Sequence, residues 1–278
     1  MEIFRKSHAK INLFLDILNK RSYGFHQIIT IFSEIELSDS ITFTLTENNA
    51  IKILTCKNFI KTDDNLVYKI AFFIKKKYIV NNGVNIKLEK NIPIAAGLGG
   101  GSSNAAQTIS ALSELWNLDL SKNEMNEIAS KFGSDINFFL VGGCALGEGR
   151  GEQITPLKDI EINHILLINP GFEISSKEVY KATTISNNEN SNWKKLLKTG
   201  NIAFCYNKLE ETVCERFSEI QNIIKYLQEN GVQKAMLSGS GATVIGFCPN
   251  HHTAKKIANY YSKKGYWNHI TKTKRRTR

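Results

Sequence analysis

The sequence has 278 residues, of which 42% are hydrophobic and 22% are charged, an ordinary balance for a globular protein. This composition excludes a disordered or collagen-like chain, and no apolar run reaches the roughly 18 residues that a membrane-spanning helix needs. The net charge is +10, and five of the positive charges lie in residues 272–278. A basic surface suits an anionic small ligand as well as nucleic acid, and no nucleic-acid-binding motif accompanies the charge. The tail itself is expected to be a solvated end or a non-specific polyanion contact.

The cysteines and the amino terminus predict where the protein works. The five cysteines are widely spaced and include no Cys-x-x-Cys pair, which is typical of reduced thiols rather than of disulfides or a zinc site. Residues 1–10 lack the apolar core of a secretory signal and the long Arg/Ser-rich pattern of a transit peptide. The sequence therefore predicts a cytoplasmic protein.

The first third of the chain is predicted to consist of strands around one helix. Residues 7–18 mix polar and β-prone apolar side chains, and residues 25–36 and 41–45 predict two further strands. Residues 65–77 have helical apolar spacing and end in lysines that suit the helix dipole. Residues 84–88 alternate strictly and predict another strand.

The most informative segment is residues 91–106, where a glycine-rich loop leads directly into an amphipathic helix. Glycines let the backbone approach a ligand, and the N–H groups and dipole of a helix start favour phosphate. Ser102, Ser103 and Asn104 are expected at the helix cap, where hydroxyl groups could add contacts to a phosphate or a metal. The alternative is a flexible glycine linker, which the unbroken order of strand, loop and helix disfavours.

Two common phosphate motifs do not fit this loop. A Walker A loop ends in Gly-Lys-Ser/Thr, whereas Gly101 is followed by Ser102. The dinucleotide pattern Gly-x-Gly-x-x-Gly fails as well, because Ser102 or Asn104 occupies its last position when the count starts at Gly97 or Gly99.

The rest of the chain predicts a second α+β lobe. Ser121–Glu124 is a capping-box sequence that begins a helix, and Gly133 is expected to end it. After residue 157 the pattern gives a strand at 165–168, a polar stretch at 186–201, a strand–glycine turn–strand over 235–247 and a helix at 253–263. His251 and His252 are expected in a solvated turn, since no zinc pattern includes them.

The glycine loop closely resembles the phosphate loop of the GHMP kinases, the superfamily named for galactokinase, homoserine kinase, mevalonate kinase and phosphomevalonate kinase. Further motifs resemble the branch of this superfamily that phosphorylates 4-diphosphocytidyl-2-C-methyl-D-erythritol. They are Ala9–Leu13 with Tyr23–His26, Phe132–Phe139, Gly147–Glu152 and Ser238–Thr243. Together with the loop they extend from residue 9 to residue 243. The chain departs from the pattern at Ala95-Ala96, at Phe25, where tyrosine is usual, and at Asn137, where proline is frequent.

The resemblance implies a two-lobed α+β fold. Residues 1–155 would form an ATP-binding lobe like domain 2 of ribosomal protein S5, and residues 156–278 a ferredoxin-like lobe that contributes to the substrate site. The implied reaction is transfer of the ATP γ-phosphoryl group to the 2-hydroxyl of the cytidine-linked methylerythritol, in the non-mevalonate route to isopentenyl diphosphate. Mg²⁺ would arrive with the nucleotide, and the resemblance assigns no protein ligand to it.

Lys10 and Asp135 are the catalytic pair that the resemblance implies. Asp135 would accept the proton of the hydroxyl, while Lys10 would orient Asp135 and stabilise developing negative charge. Taken alone, Asp135 could be a plain helix cap and Lys10 a solvated lysine. A mechanism without an aspartate base, in which the nucleotide phosphate takes the proton, is the alternative within enzymes.

The resemblance also implies two sets of binding residues. The ATP-binding set is Asn65, Pro93, Ile94, Ala95, Ala96, Gly97, Leu98, Gly99, Gly100, Gly101, Ser102 and Ser103. The substrate-binding set is Asn12, Phe25, His26, Tyr180, Gly239 and Gly241. Phe25 and Tyr180 would sandwich the cytosine and His26 would bond to its edge, since stacking tolerates any base and edge contacts choose among them. Without the family context, core packing would explain Phe25, and a tight turn would explain the two glycines.

Two other function classes stay open at this point. One is another small-molecule kinase of the superfamily, such as a homoserine kinase, against which the Gly-Phe-His segment argues. The other is a non-catalytic polyanion-binding protein, which the basic tail would support. The predicted partners are ATP and the cytidine-linked substrate, with neither specific nucleic acid nor a membrane, for a monomer or a homodimer.

Overall fold

The structure is a computed structural model that describes residues 1–20, 26–55, 65–185 and 190–276. Contacts divide the chain into two compact units, each discontinuous in sequence. The first unit comprises Met1–Ala9, Ser38–Ile94 and Gly99–Val141, and the second comprises Lys10–Leu37, Ala95–Leu98 and Gly142–Arg278. The sequence predicts two lobes that meet at one boundary, between residues 155 and 156. This boundary stays a prediction.

Strands and helices occur in both units, as an α+β chain requires. The strands are β1 Glu2–Lys20, β2 His26–Thr46, β3 Ile51–Thr55, β4 Gly83–Glu89, β5 Cys144–Glu148, β6 Gln153–Pro156, β7 Ile165–Asn169, β8 Tyr206–Asn207, β9 Lys234–Leu237, β10 Val244–Phe247 and β11 Trp267–Thr271. The helices are α1 Leu66–Lys77, α2 Gly100–Leu115, α3 Lys122–Phe132, α4 Ile136–Val141, α5 Ser176–Ala182, α6 Asn192–Thr199, α7 Leu209–Arg216, α8 Ser218–Glu229 and α9 His251–Lys263, with a 3-10 turn at Ile202–Phe204. In these stretches no helix is long and apolar enough to cross a membrane.

In the first unit a sheet packs beneath helices. The end of β2 runs antiparallel to β4, and β3 lies parallel on the other side of β4. The predicted helix at 65–77 is confirmed as α1. It buries Val67, Ile70, Ala71 and Ile74, one face of the helical period.

The two helices that follow the glycine loop, α2 and α3, are capped in different ways. The predicted capping of the first helix by residues 102–104 is wrong, because α2 already begins at Gly100. Its cap is Gly99, which has a left-handed φ of 69° and makes no side-chain capping bond. The capping box of α3 is confirmed, since the Ser121 hydroxyl accepts from Glu124 N and Gly133 ends the helix.

The second unit contains the two-layer arrangement expected of the carboxy-terminal lobe. Its four strands lie in the order β11-β7-β10-β9, and every neighbouring pair is antiparallel. Alternate residues of β7, Leu166 and Ile168, lie in one apolar cluster with residues of α8 and α9 such as Ile223 and Ile257. All five residues of β7 are buried, which explains its continuous apolar run.

Shorter strands complete the second unit. Residues 30–33 of β2 pair with β5, β5 pairs with β6, and β8 runs parallel to residues 14–15 of β1.

Several elements differ from the sequence prediction. The predicted strands at 25–36 and 41–45 belong to one described strand, β2, which continues through Ser38–Ser40. The polar stretch at 186–201 contains α6, and β11 was not predicted.

The basic tail also differs from expectation, because Lys274 and Arg276 are bonded to other residues of the second unit. Lys274 Nζ lies 3.4 Å from a Glu34 carboxylate oxygen, and Arg276 donates to the carbonyl oxygens of Gly142 at 3.0 Å and Cys144 at 2.6 Å. Asp159 accepts from Arg276 N at 2.9 Å. The expectation of a solvated end is therefore wrong for these residues.

Candidate active site

Lys10 is a buried lysine on β1. Lys10 is 4% exposed, and its Nζ donates to Asn12 Oδ1 at 2.8 Å. The same nitrogen lies 5.2 Å from the centroid of the Phe32 ring, where the face of the ring attracts a cation. The main-chain N–H of Lys10 donates to Leu98 O at 2.9 Å. These contacts exclude the solvated-lysine alternative and leave a positive charge in a confined place.

Asn12 is held by a short chain of hydrogen bonds. Its Nδ2 donates to Thr30 Oγ1 at 2.8 Å, and that hydroxyl donates to Phe14 O at 2.7 Å. The residue is 2% exposed. Because one end of its amide accepts and the other donates, the direction of the amide is fixed, and its oxygen faces Lys10.

The phosphate loop, residues 93–103, has a left-handed backbone conformation at three positions. Ala95, Gly97 and Gly99 have φ values of 51°, 75° and 69°. A side chain at Gly97 would be doubly unfavourable, since a Cβ there would lie 2.2 Å from Ser238 O. Pro93 is half-buried and Ile94 is exposed. The departure at Ala95 therefore places an alanine in the left-handed region, which costs backbone energy.

The loop ends at the start of α2, where its N–H groups are available. The first intrahelical bond there joins Ser103 N to Gly99 O at 2.9 Å. The N–H groups of Gly100, Gly101 and Ser102 thus precede that bond, as at every helix start. A Cβ on Gly101 would meet only Leu66 Cδ1, at 4.0 Å, so the backbone here is open. Such an end favours a phosphate group.

The two serines at this helix start face different ways. Ser102 is half-buried, whereas Ser103 is 1% exposed and its Oγ accepts from Ser7 Oγ at 2.7 Å. Ser102 is therefore the better placed of the two predicted hydroxyl contacts to ATP.

A second glycine turn, residues 238–243, packs on the phosphate loop within the second unit. Ser238 Oγ donates to Gly97 O at 3.2 Å, and Thr243 N donates to Ala96 O at 3.4 Å. Gly239 and Gly241 have φ values of 55° and 93°. The structure thus gives this turn a packing role, and its contact with substrate stays a prediction.

Sequence reasoning missed the residues that hold the second glycine turn. Asn207 Nδ2 donates to the carbonyl oxygens of Leu237 at 2.9 Å and Gly239 at 2.8 Å. Ser240 and Ser176 share a hydroxyl–hydroxyl bond of 2.6 Å, which links the turn to the start of α5. No local pattern marks Asn207 or Ser176, because their partners are distant in sequence.

Two of the predicted cytosine-binding residues come together. The rings of His26, at the start of β2, and Tyr180, on α5, have centroids 5.7 Å apart and are tilted by 33°. Both residues are half-buried. Phe25, the third, lies outside the described residues. The close approach of His26 and Tyr180 agrees with a shared aromatic pocket but does not define its ligand.

Asp135 and Asn65 flank helices of the first unit. Asp135 is half-buried in the turn between α3 and α4. Asn65 is the cap of α1, where its side chain accepts from Val67 N at 3.0 Å. Its predicted contact with adenine stays a prediction, and the cap explains its burial.

Other candidate nucleophiles and ligands are inert. Burial raises the pKa of Cys144 and Cys205 to about 12, so that both thiols stay protonated at neutral pH. His251 and His252 are exposed at the start of α9. Among the described residues no group of three or more His, Cys, Asp and Glu side chains could hold a metal ion.

Comparison with known proteins gives consistent matches. Residues 65–143 match the family model described as GHMP kinases N terminal domain, and residues 186–266 match GHMP kinases C terminal. A 4-diphosphocytidyl-2-C-methyl-D-erythritol kinase from Caldanaerobacter subterraneus subsp. tengcongensis is 40% identical, over 96% of this chain and 94% of its own length.

Solved structures agree with these sequence matches. A crystal structure of 4-(cytidine 5'-diphospho)-2C-methyl-D-erythritol kinase superposes with a TM-score of 0.84 and 27% identity, over 98% of this chain and 100% of its own. The structure of a homoserine kinase from Cytophaga hutchinsonii has a TM-score of 0.69 at 15% identity, covering 98% of this chain and 94% of its own, and this likeness concerns the fold alone. The chain belongs to the GHMP kinases and, within them, to the family of 4-diphosphocytidyl-2-C-methyl-D-erythritol kinases.

Proposed function

We propose that the protein transfers the γ-phosphoryl group of ATP to the 2-hydroxyl of 4-diphosphocytidyl-2-C-methyl-D-erythritol. The relatives named above carry this substrate in their names and match nearly the whole chain. The observation that carries the proposal in this chain is the buried ammonium of Lys10, fixed by its bond to Asn12. A confined cation is what a reaction that develops negative charge requires.

We assign the chemical roles as the resemblance implies. Asp135 accepts the proton of the attacking hydroxyl, and Lys10 stabilises the charge that develops on the oxygen. Asn12 directs its amide toward Lys10 and binds the erythritol part of the substrate. His26 and Tyr180 bind the cytosine, together with Phe25.

ATP is assigned to the phosphate loop. The exposed backbone at Gly101 and the half-buried Ser102 at the start of α2 support phosphate binding there. The remaining loop residues and Asn65 belong to the same predicted site.

Mg²⁺ is proposed to arrive on the nucleotide phosphates. The basis is the preference of this ion for phosphate and water oxygens with one or two carboxylates over a cage of protein ligands. When bound, it neutralises phosphate charge.

The proposal also covers the cellular location, the oligomeric state and the pathway. We propose a cytoplasmic enzyme, a monomer or a homodimer, in which buried thiols stay reduced. The route served is the non-mevalonate route to isopentenyl diphosphate.

The test is release of ADP from Mg²⁺-ATP with the cytidine-linked substrate, with homoserine and mevalonate as controls. ADP release with the cytidine compound alone is the expected result. Release with a control compound only would keep a kinase and discard the cytosine assignment. No release with any of the three, from folded protein that binds ATP, would contradict the proposal and favour a binding protein.

A further inference from the structure

A buried carboxylate lies beside the phosphate loop in the first unit. Along the end of β2 the buried positions alternate, and Leu37, Asp39 and Ile41 occupy three consecutive ones. Asp39 is 0% exposed. A carboxylate at a core position costs free energy unless hydrogen bonds and an opposite charge compensate it, so its partners show what it does.

Four donors compensate Asp39. Its Oδ1 accepts from the main-chain N–H groups of Asn91 at 2.7 Å and Ile92 at 2.9 Å. Its Oδ2 accepts from Asn104 Nδ2 at 2.9 Å and from the ammonium of Lys90, which is itself mostly buried. Each carboxylate oxygen thus has two donors, a nearly complete set.

Asn104 and Ser7 extend the network into α2. Asn104 Oδ1 accepts from Lys90 Nζ at 3.0 Å, and its Nδ2 also donates to Ser7 Oγ at 2.9 Å. Ser7 Oγ then donates to Ser103 Oγ at 2.7 Å. We call Ser7, Asp39, Lys90 and Asn104 the loop anchor.

The loop anchor holds both ends of the phosphate loop. Asn91 and Ile92 are the two residues before the loop begins, and Ser103 is its last residue. The packing is tight as well as polar, because a Cβ on Gly100 would lie 2.9 Å from Ile92 Cγ2 and 3.2 Å from Lys90 Nζ. One carboxylate therefore fixes the entry of the loop, while its amide and ammonium partners fix the start of α2.

We infer that Asp39, Lys90 and Asn104 are positioning residues that set the phosphate loop for ATP. They act through the loop, since their side chains are occupied with one another and with its two ends. The inference rests on the proposed function, which assigns ATP to the phosphate loop. It concerns ATP binding and predicts no direct effect on the cytidine pocket.

The chemistry of the network suggests an exchange of groups as the test. Asp39→Asn leaves two amides around one ammonium, and Asn104→Asp leaves two carboxylates facing each other. The double variant Asp39→Asn/Asn104→Asp restores one carboxylate, one amide and Lys90. In it, the amide introduced at position 39 still offers an oxygen to the N–H groups of Asn91 and Ile92, and its NH₂ group can donate to the carboxylate introduced at position 104.

The measurements are titration calorimetry of the Mg²⁺ complex of a non-hydrolysable ATP analogue, KM for each substrate and thermal unfolding. We expect each single variant to weaken analogue binding by about 10-fold or more, the scale of a lost charge-assisted bond. KM for the cytidine-linked substrate should change by less than about 3-fold. The double variant should regain most of the lost affinity.

Asp159→Asn is the matched control. Asp159 also accepts two main-chain N–H bonds, from Cys144 at 2.8 Å and Arg276 at 2.9 Å, but it lies in the second unit. It should lower thermal stability without changing analogue binding. Single anchor variants that lose stability but bind the analogue like the wild type would overturn the inference, as would a folded double variant without recovery.

Two other outcomes are possible: Asp39→Asn does not fold, or the wild type is inactive with the cytidine compound. If Asp39→Asn does not fold, Ser7→Ala carries the test. It removes the acceptor of Asn104 Nδ2 and the donor to Ser103 Oγ but leaves the four donors of Asp39 in place. Binding weakened by about 3-fold is expected, and unchanged binding would overturn the inference. If the wild type releases no ADP with the cytidine compound, the proposed function fails. The analogue titrations then still decide the inference.

Discussion

Lys10 Nζ donates to Asn12 Oδ1 at 2.8 Å, and the two residues are next-but-one neighbours on the same face of β1. The strand period places both side chains together, and the bond from Asn12 to Thr30 fixes the amide in return. The position of the ammonium is therefore set by the strand before any ligand binds. Such preorganisation is what electrostatic catalysis needs.

If Lys10 has the proposed role, replacing it by methionine should lower kcat by about 10²–10³-fold, because the charge that would stabilise the reacting oxygen is lost. The fold should persist, since methionine fills a similar volume without a buried charge. Steady-state ADP release measures the effect. Lys87→Met removes an exposed lysine from β4 and should leave kcat unchanged. A Lys10 variant with near-normal kcat would refute its assignment.

Asp135→Asn distinguishes the two mechanisms left open by the resemblance. If Asp135 is the base, kcat should fall by about 10²–10⁴-fold while KM for ATP changes little. If the nucleotide phosphate takes the proton, turnover should stay near normal. Asp119→Asn is the control, because Asp119 is exposed and has a φ of 48°, which asparagine tolerates.

His26→Ala and Tyr180→Ala test the cytosine pocket. Removing the Tyr180 ring, which would stack on the cytosine, costs about 1–3 kcal/mol, so that KM for the cytidine-linked substrate should rise by about 5- to 150-fold. Removing His26, which would bond to the edge of the base, costs about 0.5–1.5 kcal/mol and should raise this KM by about 2- to 13-fold. KM for ATP should not follow. Tyr260→Ala removes a ring stacked on Tyr226 at 4.4 Å and serves as the control for lost aromatic packing. Failure of CMP and CDP to compete with the substrate would contradict a cytosine pocket.

Local patterns predicted most of the elements, and long-range contacts explain the exceptions. The strict alternation at 84–88 gave β4, and the capping box gave α3. The predicted strands at 25–36 and 41–45 left out Ser38-Asp39-Ser40, residue types that favour turns. The strand continues since Asp39 finds four donors inside the protein, and no neighbour in sequence could reveal them.

The site was predictable to the same extent. The glycine loop and Lys10 follow from motifs, because their neighbours in sequence carry the signal. Asn207 and Ser7 were not predicted. Asn207 bonds to a glycine turn 32 residues away, and Ser7 bonds to a helix start 96 residues away. One usable signal was overlooked: Asp39 continues the alternation of Leu37, Ile41 and Phe43, which marks a carboxylate at a core position.

Removing residues 274–278 should destabilise the second unit. Glu34 is 6% exposed and would lose Lys274, while the carbonyl oxygens of Gly142 and Cys144 would lose Arg276. A loss on the order of 2–4 kcal/mol in the free energy of unfolding is expected from denaturant titration. Arg275→Ala is the control, because its ion pair with Glu161 is exposed and should have no measurable effect. Unchanged stability after truncation would restore the solvated-tail interpretation.

Glu210→Gln should change how stability depends on pH. Burial raises the pKa of the Glu210 carboxyl above its ordinary value, against the lowering effects of its bond from Leu237 N and of Lys234. The folded state therefore holds this proton more tightly than the unfolded chain does. Stability contributed by Glu210 is complete below the unfolded pKa, falls as pH rises to the folded pKa, and stays reduced at neutral pH.

Glutamine keeps an oxygen that can accept from Leu237 N, a bond of 2.7 Å, but it carries no charge to desolvate. The variant should thus be more stable than the wild type at pH 7, and the difference should shrink as pH falls through the folded pKa toward the unfolded value. Denaturant titrations of both proteins between pH 4 and pH 8 would measure this difference, with guanidine in place of heat to keep unfolding reversible. A wild type that gains stability over the variant as pH rises would show that the carboxylate is stabilised by Lys234 and Leu237, with the opposite sign of the pKa shift.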